Sequence, residues 1–553
     1  MTGLGLTLLV ALGAALVLGA LALRLRLPPM LGYIVAGMAV GPFTPGFVAD
    51  REEVLALADI GVALLMFSIG LQFSVGELRS VGARILGGAP LQVALTMAIG
   101  TGTGLALGWE LIEALFIGGA VAVCSTVVLV RVAGEAALHT TAHGRTALGV
   151  SIVQDLVTVV LVVTLSALGS REEESILELA LTAAVALGFV AVVILGGSRV
   201  LPRLLGAIAG LRSRELFIIS VAFIAIGTAF AASALGVSVA LGAFVAGLAL
   251  ADSDLSASVL GEIVPLRELF SSFFFVSIGI LLQPAAILAA WPVVLALLLI
   301  ITLGKALPVA GLALFDGQRP STALRAGALI GQSGEFSFVL ASAGLALGAV
   351  APETFSLAMG ATVISIVTAG PLASLAGRIG PWLDVRAPQP VLPGDEPPVD
   401  LRRHAIILGY GRVGKAVARV LESRGFAWVA IDGDYALARK ARLEGAAIIY
   451  GEAGAPTVLD QARVAEAHAV IIAIPDALAT RQAAAYAKAR NHRIEIVARA
   501  HSDADEEELR RIGVARVVVA DRELGNELIR HALRRFGVSD REVAAILVDR
   551  RQR

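Results

Sequence analysis

The chain has 553 residues, of which 57% are hydrophobic, 16% charged and 5% aromatic, and its formal net charge is −1. So apolar and charge-poor a composition excludes an ordinary soluble protein and indicates a polytopic membrane protein with a soluble part attached. The net charge averages two solvents and excludes nothing, whereas a single cysteine, Cys124, rules out an intrachain disulfide.

In chain order, apolar stretches predict α-helical spans over about 3–23, 29–47, 54–73, 85–108, 111–133, 144–168, 175–197, 215–233, 236–251, 267–283, 287–315, 323–347 and 354–377. Met1 to Leu23 lacks the basic start and cleavage site of a secretory signal and reads as the first of these about thirteen spans. Arg24, Arg26, Arg79, Arg84, Arg131, Arg145, Arg199, Arg203, Arg212, Arg214, Arg267, Arg319, Arg325, Arg378 and Arg386 gather on one side. The other side holds only Arg51 and Arg171, so the N-terminus is expected outside and the region after the last span in the cytoplasm. One cytoplasmic stretch breaks the pattern: Ala251 to Leu266 carries Asp252, Asp254 and Glu262 without Lys or Arg, and reads as a solvated loop or as an acidic regulatory docking strip.

The sixth span, GRTALGVSIVQDLVTVVLVVTLSAL, carries Asp155 near its middle. A centred Asp costs about 2.5 to 3.5 kcal/mol on insertion scales, so an intramembrane acid is a functional candidate. Ser151, Asp155 and Thr158 fall on one helical face with Gln154 beside them. Lys305 and Glu335 also lie deep in their spans. An amine and an acid at similar depth reduce each other's burial cost, which makes Asp155 with Lys305 the expected pair. Asp59 lies nearer the outer end of its span and reads as structural. Two spans are interrupted by small and polar residues: GGAVAVCST at 118–126, with Ser125 and Thr126, and GALIGQSGEFS at 327–337, with Glu335. Broken helices of inverted repeats that meet at mid-depth present their ends to an ion in many secondary transporters.

Residues 379–403 form a Pro-rich linker, and from His404 short β-rich runs alternate with Ala-rich helical stretches, the signature of a parallel α/β sheet. The expected division is 1–378 for the transmembrane exchanger, 379–403 for the linker, 404–520 for a Rossmann-like domain and 521–553 for a short tail. Gly409, Gly411 and Gly414 form G-Y-G-R-V-G between a strand and a helix, with Arg412 inside it, and Asp432 ends the second strand eighteen residues later. This arrangement suits an adenine nucleotide, NAD(H) or AMP, with the pyrophosphate or phosphate at the helix N-terminus and the acid on the ribose.

The segments PPMLGYIVAGMAVGPF, the Gln154-Asp155 pair, ADSDLSASVLGEIVPLRELFSSFFFVSIGILL and GQSGEFSFVL together resemble the cation:proton antiporter-2 family. Within it the chain is most similar to the Kef type of bacterial potassium:proton antiporter with a C-terminal RCK (TrkA-N-like) nucleotide-binding domain. The resemblance implies an inner-membrane homodimer in which a core with crossing broken helices moves as an elevator against a dimerisation domain. It also implies that Asp155 carries cation and proton, that Ser125 and Thr126 lie at the first crossing and Glu335 at the second, and that a Gln-Asp pair goes with potassium. In glutathione-gated members this domain also binds glutathione, and Arg412 and Arg499 lie in the matching segments. The chain's end soon after the domain and its different acidic loop argue against glutathione gating.

The chemistry agrees with antiport. A buried carboxylate holds either a proton or a desolvated monovalent cation, and competition at one site couples the two fluxes; Gln154 is expected to offer the cation a neutral oxygen. The rivals are a sodium antiporter of the same fold, a nucleotide-gated channel, which needs no central carboxylate, and a membrane-anchored dehydrogenase, for which too few residues follow the nucleotide fold. No enzymatic activity, redox role or nucleic-acid partner is expected.

Overall fold

The computed structural model describes residues 3–25, 27–44, 51–72, 83–134, 138, 141–169, 185, 188–235, 238–386, 403–500 and 503–552. Two compact units divide the chain, one helical, of residues 1–138 and 145–386, and one of residues 139–144 and 387–553.

The helical unit comprises α1 (Gly3–Arg24), α2 (Pro29–Val40), α3 (Arg51–Gln72), α4 (Ala83–Ala106), α5 (Leu111–Ala122), α6 (Thr126–Ala133) and α7 (Ala142–Gly169). It continues with α8 (Gly188–Gly210), α9 (Arg214–Ala234), α10 (Val239–Ala251), α11 (Ser256–Leu281), α12 (Pro284–Ala289), α13 (Trp291–Phe315), α14 (Pro320–Ile330), α15 (Glu335–Ala346) and α16 (Pro352–Arg386). Among the described residues ten helical segments are long and apolar enough to cross a membrane, α5 with α6 counting as one, and α2, α10 and α15 are shorter apolar helices. Helix α13 illustrates why. Val294, Leu297, Ile301, Lys305 and Val309 form its buried stripe, while Leu295, Leu299, Leu303 and Leu307 form an exposed one. A helix apolar on its inner and outer faces alike suits lipid, and the one charge in its middle is on the inner face.

Two sequence expectations are corrected. Helix α11 begins at Ser256, not near 267, so Glu262 and Arg267 are helical and the acidic loop shrinks to a turn around Asp252 and Asp254. Three acids without Lys or Arg suggest a loop there; the helix runs through Pro265, and Glu262 accepts from Arg214 Nε at 2.8 Å and Nη2 at 3.0 Å. Helix α16 runs past 378 to Arg386, so the first linker residues are helical, and the Pro-rich remainder at 387–402 lies outside the described residues. The span expected at 175–197 lies partly outside them as well, and the helix present there is α8. Near its end α16 caps α14, because Asp384 accepts from the Ser321 backbone N–H at 2.9 Å and from its hydroxyl at 2.6 Å.

The second unit is an α/β fold: β1 (Ala405–Leu408), α17 (Arg412–Ser423), β2 (Trp428–Asp432), α18 (Tyr435–Leu443), β3 (Ile448–Tyr450), α19 (Pro456–Gln461), β4 (Ala469–Ile472), α20 (Ala477–Arg490), β5 (Glu495–Ala500), α21 (Asp503–Ile512) and β6 (Arg516–Val519). Two further helices, α22 (Ala520–Arg535) and α23 (Asp540–Gln552), follow, so the expected tail is helical. All strand pairs are parallel, in the order β3-β2-β1-β4-β5-β6. Strand β1 reads AIIL because it is covered on both faces: Ile406 and Leu408 enter one core, Ile407 the other. The order reverses beside β1, which places a crevice at the ends of β1 and β4, next to the glycine-rich turn.

Candidate functional site

Helices α5 and α6 are one apolar segment interrupted at Val123 to Ser125, which are extended at both ends of the break: Val123 has φ −104° and ψ 152°, and Ser125 φ −106° and ψ 123°. Helices α14 and α15 are interrupted in the same way between Ile330 and Glu335. The two breaks touch, since a Cβ on Gly334 would overlap the side chain of Ser125. Each interruption frees backbone groups that lipid cannot satisfy, and their partners are side chains from other helices.

Around the first break these partners can be followed residue by residue. The Val123 carbonyl accepts from Lys305 Nζ at 2.8 Å and from the Ser333 hydroxyl at 3.2 Å. Cys124 N–H donates to Gln154 Oε1 at 2.8 Å. Ser125 donates its N–H to Gln332 Oε1 at 3.3 Å, and its carbonyl accepts from Gln332 Nε2 at 2.8 Å. The Ser125 side chain accepts from Val128 N–H at 3.2 Å, capping α6, and donates to Glu335 Oε2 at 2.6 Å. Glu335 itself is the first residue of α15, where a carboxylate complements the helix dipole.

One expectation is overturned by this arrangement. Lys305 does not pair with Asp155: its three donors go to the Val123 carbonyl, the Gln332 carbonyl at 2.7 Å and the Ser333 hydroxyl at 2.8 Å. The carbonyls freed by the two breaks are nearer acceptors than a carboxylate on α7. Gln154 is wholly buried; its Oε1 accepts from Cys124 N–H and its Nε2 donates to Gln92 Oε1.

Asp155 is half-buried, and the Thr126 hydroxyl donates to its Oδ2 at 3.1 Å. The Thr126 and Ser151 hydroxyls are 2.7 Å apart, and the Cys124 thiol lies 3.4 Å from Ser151. Asp155 Oδ1 is buried and meets no donor among the described residues. A carboxylate with one shielded open oxygen and two hydroxyls beside it can take up a proton or a small cation. The Thr158 hydroxyl donates to the Gln154 carbonyl at 2.8 Å, and Asp59 is exposed on α3. Gln92, on α4, was missed by sequence reasoning; the one available signal was a lone amide inside an apolar span.

In the α/β unit the turn after β1 has Gly409 at φ +95°, and a Cβ on Gly414 would overlap the Gly409 carbonyl, so both positions require glycine. Gly411 faces open space, and among the described residues no side chain caps α17 there. Asp432 stands on the neighbouring strand and accepts from Tyr410 N–H at 2.6 Å and Asp434 N–H at 2.8 Å. Arg412 is exposed at the start of α17, whereas Arg499 lies on β5, two strands from β1, in a crevice shared with Thr480, Arg481 and Asp505. Asp252 and Asp254 are exposed.

Known proteins match both units. The profile of the transmembrane sodium/hydrogen exchangers matches residues 10–375, and that of the TrkA-N domain residues 405–520. The putative cation/proton antiporter YbaL of Escherichia coli (strain K12) is 35% identical over 95% of this chain and 96% of its own. The putative K(+) efflux antiporter KefB of Alkalimonas amylolytica is 28% identical over 96% of this chain and 81% of its own. The crystal structure of the TrkA-N domain of the inner membrane protein YbaL from Escherichia coli is 30% identical, covers 24% of this chain and 96% of that domain, and has a TM-score of 0.23. The full-length relatives are transporters, not enzymes.

Proposed function

The chain belongs to the sodium/hydrogen exchanger family, as a multi-pass Kef-type cation:proton antiporter with a C-terminal TrkA-N domain, and on that premise we propose that it exchanges K+ for protons at Asp155. The observation that carries the assignment is the open, shielded Oδ1 of Asp155, beside the hydroxyls of Thr126 and Ser151. A proton or a desolvated cation neutralises the same charge, so the two exclude each other and their fluxes are coupled. Ser125 and Glu335 hold the crossing together and Lys305 neutralises its carbonyls; these residues keep the site's shape as the core moves against a dimerisation domain in a homodimer.

Potassium is favoured by the single open carboxylate flanked by neutral hydroxyls, a ligand set of low charge for the cation that sheds water more readily. The name of the Alkalimonas amylolytica relative supports the same reading. Sodium remains the rival. The N-terminus lies outside and the TrkA-N domain on the cytoplasmic side of a bacterial inner membrane, consistent with the distribution of arginines.

The TrkA-N domain binds an adenine nucleotide as regulator. The α17 N-terminus at Gly411 and Arg412 would hold the phosphate, and Asp432 the ribose. The bound nucleotide would supply charge and a ribose edge for recognition, without redox chemistry. Proteoliposomes carrying an imposed pH gradient test the transport reading. Dissipation faster with K+ than with Na+ is expected; faster dissipation with Na+ overturns the cation, and none with either overturns exchange. Calorimetry with AMP and NAD tests the regulator.

A further inference from the structure

A chain of hydrogen bonds runs through the helical unit behind the candidate exchange site. The Thr96 hydroxyl on α4 donates to the Gly304 carbonyl on α13 at 2.7 Å. Gln92 Nε2, one turn earlier on α4, donates to Thr96 Oγ1 at 3.0 Å and to the Ala122 carbonyl, the last of α5, at 3.2 Å. Gln92 Oε1 accepts from Gln154 Nε2, and Gln154 Oε1 accepts from Cys124 N–H at 2.8 Å. Gln92 is 2% exposed and Thr96 and Gln154 are fully buried, so no solvent offers substitute partners.

The direction of this chain is dictated by its ends. The Gly304 and Ala122 carbonyls can only accept, and the Cys124 N–H can only donate. Thr96 therefore gives its proton to a carbonyl, that of Gly304 or, at 2.9 Å, the backbone carbonyl of Gln92, and must accept from Gln92 Nε2. Gln92 then points its amide nitrogen at Ala122 and Thr96 and its oxygen at Gln154. Gln154 in turn must face Cys124 with its oxygen. Turning either amide over would set two carbonyl oxygens, or two N–H groups, against each other in a buried place. Cys124 is two residues from Thr126, and Gln154 directly precedes Asp155, so the bond that Gln92 orients ties the first break to the helix that carries the exchanging acid.

We propose that Gln92 is a positioning residue for antiport: it fixes the Gln154 amide, and through it the first helix break, so that Thr126 and Ser151 stay turned toward Asp155. The inference rests on Asp155 being the exchange site. Gln92 never touches the ion; it sets the spacing of the groups that do.

The test uses the full chain in proteoliposomes and whichever of K+ and Na+ the wild type exchanges faster. Gln92→Met keeps length and apolar volume while removing every bond. It is expected to raise the KM for that cation roughly tenfold while the maximal rate per folded protein changes far less. Thr96→Val removes only the far anchor and is expected to raise KM in the same direction by about two- to threefold, which decides the matter should Gln92→Met fail to fold. A Gln92→Met protein with wild-type KM, or one whose loss lies wholly in the maximal rate, overturns the proposal, as does an unchanged KM in Thr96→Val. Asp155→Asn is run alongside: if it still exchanges, the site assignment itself has failed, whereas a dead Asp155→Asn with an unchanged Gln92→Met removes only the role of Gln92.

Discussion

The crossing in the helical unit and the glycine-rich turn of the α/β unit are both places where helices end inside a protein, and they leave opposite groups open. At the crossing, backbone carbonyls and amides are taken up by Lys305, Gln332, Ser333, Gln154 and Gln92, and an oxygen of Asp155 is left open. At the turn, backbone amides at the start of α17 lie beside the open face of Gly411, with no side-chain cap among the described residues. The first arrangement suits a cation, the second an anion. Burial alone does not separate them; what does is which backbone groups have already been claimed by side chains.

The comparison can be broken most forcefully at Lys305. Lys305→Met takes the donor from the Gln332 carbonyl and the Ser333 hydroxyl oxygen and leaves the Val123 carbonyl only the Ser333 hydroxyl, at about 1 to 3 kcal/mol for each group left unpaired, so exchange should be lost and the melting temperature of the detergent-solubilised protein should fall by several degrees. Wild-type exchange in that variant would mean the crossing does not depend on its cation.

A smaller effect is expected at the turn. Gly414→Ala drives a methyl group against the Gly409 carbonyl, a strain on the order of 1 to 3 kcal/mol, and should weaken AMP or NAD binding about tenfold or more by calorimetry. Undiminished binding would place the nucleotide elsewhere.

The smallest effect sharpens the contrast from the sheet side. Burial pushes the His404 imidazole below its ordinary pKa; Nε2 sits 2.8 Å from the Ala462 carbonyl, and Nδ1 is buried without a partner among the described residues. The unfolded chain therefore binds the extra proton more readily, and the stability of β1 is complete above a pH of about 6.5 and declines as pH falls through and below that value. Hydrogen exchange of the β1 and β4 amides, corrected for intrinsic rates, should show less protection at acid pH in the wild type and a flatter profile in His404→Gln. Equal pH dependence in both would assign the effect to another group.

Much of this was legible in the sequence, for identifiable reasons. Asp155 announced itself because a charge at the middle of an apolar run is costly, and G-Y-G-R-V-G because a strand precedes it and a helix follows. The two breaks were visible as small and polar residues at mid-span. Their consequence was not drawn: a broken helix releases carbonyls, and these, rather than Asp155, are what Lys305 meets. Depth along a span says how far two residues lie from the bilayer surface, not which way their side chains face. Gln154 adjoins Asp155 in the chain, but adjacency on a helix turns the two side chains about 100° apart, and its amide meets Cys124 and Gln92, neither of which the sequence places beside it. Gln92 stayed hidden since its partners outside α4 come from two other helices, α5 and α7. The acidic stretch at 251–266 looked like a loop because its charges count against a helix in sequence, whereas in space Arg214 sits beside Glu262.

The central claim, that one carboxylate carries both cation and proton, is tested most directly by cation-driven proton movement in proteoliposomes for wild type and Asp155→Asn. The account predicts that K+ dissipates an imposed pH gradient through the wild type and that the mutant, folded to the same extent, leaves the gradient standing. Continued exchange by Asp155→Asn would contradict it and make Asp155 a structural residue.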